Sequence, residues 1–180
     1  MRKLLILPII VLIVFSSCKK DNQGVPLGTL KATIDGIPVV FNMWDTAIIG
    51  VYNLTLPPSP PSVTYSLNIH GYTSDTLKNI DFGVNGYLSI TAGTYIDSLL
   101  NLYNLSSSIF YNQGLTTSGY VTYVSTGNTT SYSIINITSI DSASVQGTFN
   151  GLVTLSTPGT SLILSHTITN GQFNLPLIHW

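Results

Sequence analysis

The clearest regular pattern in the chain is the alternation of apolar and polar residues from Val63 to Tyr72. Val63, Tyr65, Leu67 and Ile69 alternate with Thr64, Ser66, Asn68 and His70. Successive side chains of a strand point to opposite faces of a sheet. The pattern therefore predicts a β-strand with one face in the core and the other in water.

Similar strand signals recur along most of the chain, separated by Gly, Asn, Ser or Pro. The dipeptide Asp35-Gly36 favours a type I′ hairpin turn. Because Pro38 has no amide donor, the second strand of that hairpin should lie at a sheet edge or begin after Pro38. Further strands are predicted at 46–54, 63–72, 108–112, 119–125, 131–140, 143–155, 161–169 and 172–178, with two short ones within 80–90 broken by Gly83 and Gly86. This spacing predicts an all-β fold, an antiparallel two-sheet β-sandwich of about eight to ten strands.

Two stretches add detail to this picture. In 145–153, a shared face carries Val145, Gly147, Phe149, Gly151 and Val153, and the two glycines beside an aromatic ring indicate a bulge or a close approach between sheets. Near 97–104 the apolar spacing changes to that of one helix face, with Asp97 as a cap. One short helix is predicted there, although the same residues also fit a strand.

The N-terminus carries a different apolar pattern, MRKLLILPIIVLIVFSSC. Arg2 and Lys3 precede an unbroken apolar run, and small residues lead up to Cys18, which is the layout of a secretory signal. The run is shorter than the roughly 20 residues of a membrane-spanning helix. The segment resembles the lipobox of bacterial lipoproteins, except that Phe15 stands where Leu is usual. This resemblance implies a signal peptide at 1–17, a lipidated Cys18 and a lipid anchor in the membrane.

The rest of the chain suits one domain. Residues 18–28 are polar, with Gly and Pro, and indicate a flexible tether from the lipidated cysteine, which leaves 29–180 for a single β domain. Cys18 is the only cysteine, so this domain must fold without disulfides. After residue 17 there are four lysines and seven aspartates, a net charge of −3, and no basic stripe for phosphates. Nucleic acid is therefore excluded as an expected partner.

Candidate chemistry is sparse. His70, His166 and His179 show no metal-ligand spacing, and the aspartates are dispersed along the chain. Phosphate-binding loops and a G-x-S-x-G nucleophile elbow are absent from the sequence. We therefore expect no bound metal, no cofactor and no enzymatic activity. A glycoside hydrolase using Asp75 and Asp81 is the least implausible catalytic reading. Aspartates in loops are more often turn residues, because their side chains bond to nearby backbone.

The aromatic residues offer a binding surface instead. Trp44, Tyr52 and Tyr72 lie near predicted loops, where their rings could stack on sugars. The first expectation is thus a non-catalytic binding or accessory domain for a glycan or a partner protein. The alternative is a structural or adhesive subunit that assembles by strand addition, because few charges are present to guard the sheet edges.

The motifs together resemble a known group of proteins. The chain combines the lipobox with KATIDG, AGTY, GTF and a closing TITNGQFNLP. In these features it is similar to a family of small, uncharacterised Gram-negative lipoproteins with an all-β domain. The resemblance implies an outer-membrane location, facing the periplasm or exposed on the cell surface. It implies no reaction and no catalytic residues.

Overall fold

The structure is a computed structural model that describes residues 25–54, 62–97, 105–116, 119–125, 127, 131–156 and 163–179. All regular secondary structure in these ranges is β-strand, which confirms the predicted all-β class. The strands are β1 Thr29–Ile34, β2 Ile37–Val40, β3 Met43–Leu54, β4 Ser62–Tyr72, β5 Lys78–Gly86, β6 Gly93–Ile96, β7 Leu105–Thr116, β8 Gly119–Val124, β9 Tyr132–Ile140, β10 Ser144–Ser156 and β11 Ile163–His179. Of the helix predicted near 97–104, residues 98–104 lie outside the described residues. Within those ranges we find no helix of the length and apolarity that crossing a membrane would require.

The first hairpin forms as its turn sequence dictates. Asp35 and Gly36 both have positive φ, 50° and 83°, which a type I′ turn requires at its two central positions. Ile34 then pairs with Ile37, and β2 lies at one end of the strand order. Pro38 is therefore in an edge strand, as its missing amide donor predicted.

All eleven strands belong to one continuous hydrogen-bonded sheet. Neighbours follow the order β2-β1-β11-β3-β4-β5-β7-β8-β10-β9-β6, and β10 also pairs with β11. The sheet is mixed, because β11 runs parallel to β3 where Leu177 to His179 lie beside Ala47 to Ile49. The predicted division into two separate antiparallel sheets is not confirmed, since the pairing links every strand.

The sheet packs against itself through aromatic side chains. The ring of Phe82 on β5 stacks on Phe149 of β10 with centroids 4.2 Å apart, and it meets Phe173 of β11 edge-on at 5.5 Å. All three rings are buried. Such offset and edge-on aromatic contacts add to the stabilisation from apolar burial.

Glycines allow this close packing on β10, as the sequence indicated. The predicted shared face of 145–153 is buried. A Cβ on Gly147 would come within 2.5 Å of the Phe173 ring, and one on Gly151 within 2.9 Å of Ile109 on β7. Pairing registers also shift between Gln146 and Gly147 and between Phe149 and Gly151, so both a close approach and bulges are present.

Two predicted strand breaks are wrong. The two strands predicted within 80–90 are the single strand β5, which continues through Gly83 and ends at Gly86. The pair predicted at 161–169 and 172–178 is the single strand β11. Asn170 adopts a φ of 52° there and donates its backbone amide to Asn150 Oδ1 at 3.1 Å, so an irregularity in pairing replaces a turn.

Candidate functional site

A depression of about 260 Å³ opens on the outer face of β4, β5 and β7. Its lining is Asn68, Ile69, His70, Asp81, Phe82, Gly83, Ser108 and Phe110. The register across the three strands explains this group. His70, Asp81 and Phe110 form one cross-strand row, and Asn68, Gly83 and Ser108 form the next.

Gly83 forms the low point of that second row. A Cβ there would lie 2.9 Å from Asn68 Oδ1 and closer still to the Leu67 carbonyl oxygen. No side chain fits at this position, and Gly83 itself is buried among its neighbours. A glycine inside a strand commonly marks such a close approach to backbone.

His70 and Asp81 form a hydrogen-bonded pair on the wall of the depression. His70 Nδ1 and Asp81 Oδ1 are the contacting atoms, and the two side chains are 35% and 37% exposed. Neither group has another hydrogen bond to a described residue. The second ring nitrogen and the second carboxylate oxygen can therefore meet water or a ligand.

Phe110 supplies an apolar surface beside this pair. Its side chain is 39% exposed, whereas its neighbours Ile109 and Tyr111 are buried on the other face of β7. Asn68 adds an amide, whose Nδ2 lies 3.5 Å from Ser66 Oγ, and Ser108 adds a hydroxyl. An exposed ring next to a few convergent polar groups is a common composition for a small-ligand site.

Of the predicted binding residues, Tyr72 lies next to this depression. Its ring meets the His70 ring edge-on, with centroids 4.7 Å apart. Trp44 and Tyr52 have their backbones in β3, and their side chains are outside the described part of the structure. Cys18, the predicted lipidation site, is likewise outside the described residues.

Asp75 and Asp81 are not brought into one site. Asp75 lies in the turn between β4 and β5, where its Oδ1 accepts hydrogen bonds from Thr73 Oγ1 at 2.6 Å and the Leu77 amide at 3.0 Å. These two bonds lower the pKa of Asp75 below its ordinary value. Lys78, whose backbone pairs with Thr73 to close the turn, precedes Asp81 by three residues, or about 10 Å of extended strand. Asp75 is thus a turn residue, and Asp81 alone of the two lines the depression.

A second histidine–aspartate pair fastens the first hairpin to β11. His166 Nδ1 lies 2.5 Å from Asp35 Oδ2, and the Thr167 amide donates to Asp35 Oδ1 at 2.8 Å. Burial alone would raise the pKa of Asp35, but the hydrogen bonds from His166 and Thr167 outweigh it and lower the pKa. Asp35 therefore acts in the ionised form as a clamp between the turn and β11.

The His166 ring is enclosed by tyrosines. It packs edge-on against Tyr123 at 4.3 Å and Tyr111 at 5.2 Å, and its Nε2 is buried without a hydrogen-bond partner among the described residues. Tyr111 is almost fully buried, which together with the charge of Asp35 and its neighbour Tyr123 raises its pKa to about 12. The His166 ring is therefore enclosed, whereas the Asp35 side chain is 46% exposed.

The sequence reasoning missed the depression and both pairs. It places His70 correctly on the polar face of β4 but pairs Asp81 with Asp75 and not with His70. Neither His166 nor Asp35, which are 131 residues apart, carries a local signal for the other. Among the described residues, no three His, Cys, Asp or Glu side chains come together as metal ligands.

Comparison with known proteins adds no assignment. No protein-family profile, no curated protein and no solved structure matches the chain. The resemblance to small Gram-negative lipoproteins stays a prediction from the sequence motifs.

Proposed function

We propose that this protein is a lipid-anchored outer-membrane lipoprotein whose β domain binds a glycan without catalysis. The observation that supports glycan binding is the exposed Phe110 ring beside the His70–Asp81 pair, in a depression where Gly83 contributes no side chain. The N-terminal sequence from Met1 to Cys18 supports the anchor.

The chemistry of the depression suits a sugar ring. A pyranose has an apolar face of C–H groups, which can lie on Phe110, and a polar rim of hydroxyls. The imidazole and carboxylate of the pair, the Asn68 amide and the Ser108 hydroxyl supply donors and acceptors for that rim. The volume is just below the roughly 300–1,000 Å³ of typical ligand pockets, so one or two sugar residues of a longer chain fit better than a large ligand.

Substitution of Phe110 tests this function. Full-length protein, extracted in a detergent without a sugar headgroup, is screened against an array of glycans, and hits are measured by calorimetry. Phe110→Ala is expected to weaken binding about tenfold, the equivalent of about 1.4 kcal/mol, because the stacking ring is lost.

Tyr132→Ala is the matched control. Tyr132 lies on β9 and is 37% exposed, close to the 39% of Phe110, but it does not line the depression. Equal effects of the two substitutions, or an array without hits, would argue against glycan binding at this site.

The anchor is tested separately on protein purified from membranes. Mass spectrometry of the N-terminal peptide is expected to begin at Cys18 and to carry the added mass of the lipid. Protease treatment of intact cells then distinguishes surface exposure from a periplasmic orientation. An intact Met1 or an unmodified Cys18 thiol would refute the anchor without bearing on the depression.

Assembly by strand addition is the alternative function. The strands at the two ends of the described sheet, β2 and β6, expose Ile37, Val40 and Ile96 and contain no lysine. Each is only four residues long, however, and short edge strands are one way in which proteins prevent such pairing. Light scattering that shows concentration-dependent growth of the particles would favour assembly, and constant mass would count against it.

A further inference from the structure

The depression has a one-sided charge distribution. Asp81 is the carboxylate in its lining, and His70 is the one lining group able to carry a positive charge. With Asp81 ionised, the pair has a net charge of −1 with a neutral imidazole and 0 with an imidazolium. In either state, the His70 nitrogen nearest the carboxylate is already engaged by Asp81.

The lysines of the described chain do not change this balance. Lys78 stands at the start of β5, next to the turn that carries Asp75. Lys31 lies on β1, which β11 and β3 separate from β4 in the strand order. Neither lysine is among the lining residues, so an anionic group in the depression would meet Asp81 with no cation beside it except the imidazole that Asp81 already engages.

From this distribution we infer that Asp81 is a specificity-determining residue that makes the site select neutral sugars and reject acidic ones. The inference rests on the proposed glycan binding and adds the class of glycan to it. A hydroxyl at the sugar rim can donate a hydrogen bond to Asp81, which is strong because the acceptor is charged. A carboxylate or sulfate at the same rim position has no proton to donate and is repelled.

The size of this effect is limited by water. Asp81 is 37% exposed, and interactions between exposed charges are screened and weak. We therefore expect about a fivefold preference for a neutral sugar over its acidic counterpart at low ionic strength. The preference should shrink at 0.5 M salt, where the screening length is only a few ångströms.

The test uses matched neutral and acidic polymers, polygalacturonate with its carboxylates methyl-esterified and the same polymer de-esterified, and the full-length protein in a detergent without a sugar headgroup. Wild type is expected to bind the neutral member about fivefold more tightly. Asp81→Asn removes the charge at nearly constant shape, so it should abolish the preference, mainly by improving binding of the acidic polymer. Asp141→Asn, at the turn between β9 and β10, is the control for a general change in net charge and should keep the wild-type preference.

The outcomes separate the inference from the proposed function. A preference that Asp81→Asn abolishes and Asp141→Asn keeps supports the inference. Equal binding of both polymers by wild type, or a preference that survives Asp81→Asn, overturns the role of Asp81 and leaves glycan binding intact. Absence of binding to either kind of polymer and to the array overturns both. Retained binding of the neutral polymer by Asp81→Asn shows that this variant is folded.

Discussion

The Asp35 clamp predicts a clear difference between two substitutions of the same residue. In the wild type, this side chain tolerates a φ of 50°, accepts the Thr167 amide through Oδ1 and holds His166 through Oδ2. Asp35→Ala removes all three contributions. Asp35→Asn keeps a residue that accepts left-handed backbone, and it keeps one oxygen acceptor for the Thr167 amide.

The magnitudes follow from these contacts. A left-handed backbone costs alanine roughly 1–2 kcal/mol. Loss of the Thr167 hydrogen bond costs about 1 kcal/mol. The contact with His166 contributes about 0.5 kcal/mol, because the Asp35 side chain is 46% exposed and the interaction is screened. Asp35→Ala should therefore lower the free energy of unfolding by about 3 kcal/mol, and Asp35→Asn by less than about 1 kcal/mol.

Acid should remove the contribution of the charge. The pKa of Asp35 is below 3.8 in the folded protein. A carboxyl group whose pKa is lower in the folded state stabilises the protein above its unfolded-state pKa, and this contribution is lost as the pH falls through the folded-state pKa. The stability difference between wild type and Asp35→Asn is thus expected at pH 7 and should shrink below pH 3.8.

Urea denaturation followed by tryptophan fluorescence measures these differences, at pH 7 and at steps down to pH 3. If Asp35→Asn is as destabilising as Asp35→Ala, the turn conformation and the Thr167 bond contribute little and the reasoning is wrong. If the gap between wild type and Asp35→Asn does not change with pH, the ionised carboxylate is not the stabilising form.

Two further predictions concern the core. Phe149→Ala should lower the free energy of unfolding by about 3–5 kcal/mol, because a fully buried ring that stacks on Phe82 is replaced by a cavity; a loss below 1 kcal/mol in urea denaturation would contradict the packing. Tyr111 has a pKa of about 12 in the fold against 10.0 ordinarily. Stability should therefore fall by up to about 2–3 kcal/mol as the pH rises from 10 to 12, because the unfolded chain ionises first. Tyr111→Phe should lack this loss, and identical alkaline profiles for the two proteins would refute it.

Local residue patterns predicted much of the architecture. The alternation from Val63 to Tyr72 and the dipeptide Asp35-Gly36 each determine a local conformation, and both predictions are confirmed. Gly83, and the Asn170-Gly171 pair between the strands predicted at 161–169 and 172–178, predict breaks because such residues usually terminate strands. Here hydrogen bonds to neighbouring strands hold the backbone extended or irregular, and these tertiary contacts leave no signal next to the residue in the sequence.

The candidate site depends on register, which local patterns do not fix. His70 faces Asp81 because the turn that Thr73 and Lys78 close has a particular length. A shift of one residue would move Asp81 to the opposite face. Phe110 joins them only through the further pairing of β5 with β7, whose connection includes β6 and residues outside the described ranges. The sequence therefore shows His70, Asp81 and Phe110 as separate residues but does not predict that they lie together.

The two histidine–aspartate pairs show that the surroundings of a pair decide what it can do. Each pair uses His Nδ1 and one carboxylate oxygen, but the other ring nitrogen of His166 is buried against tyrosines, whereas His70 lines an open depression. Substitution of His166 should therefore change the free energy of unfolding and leave ligand affinity unchanged. Substitution of His70 should change ligand affinity more than stability, because its side chain is 35% exposed and leaves little unfilled space in the core when it is replaced. If both substitutions moved stability and affinity in parallel, the separation between a clamp and a binding site would be wrong, and the depression would be a surface feature of the sheet without a role in recognition.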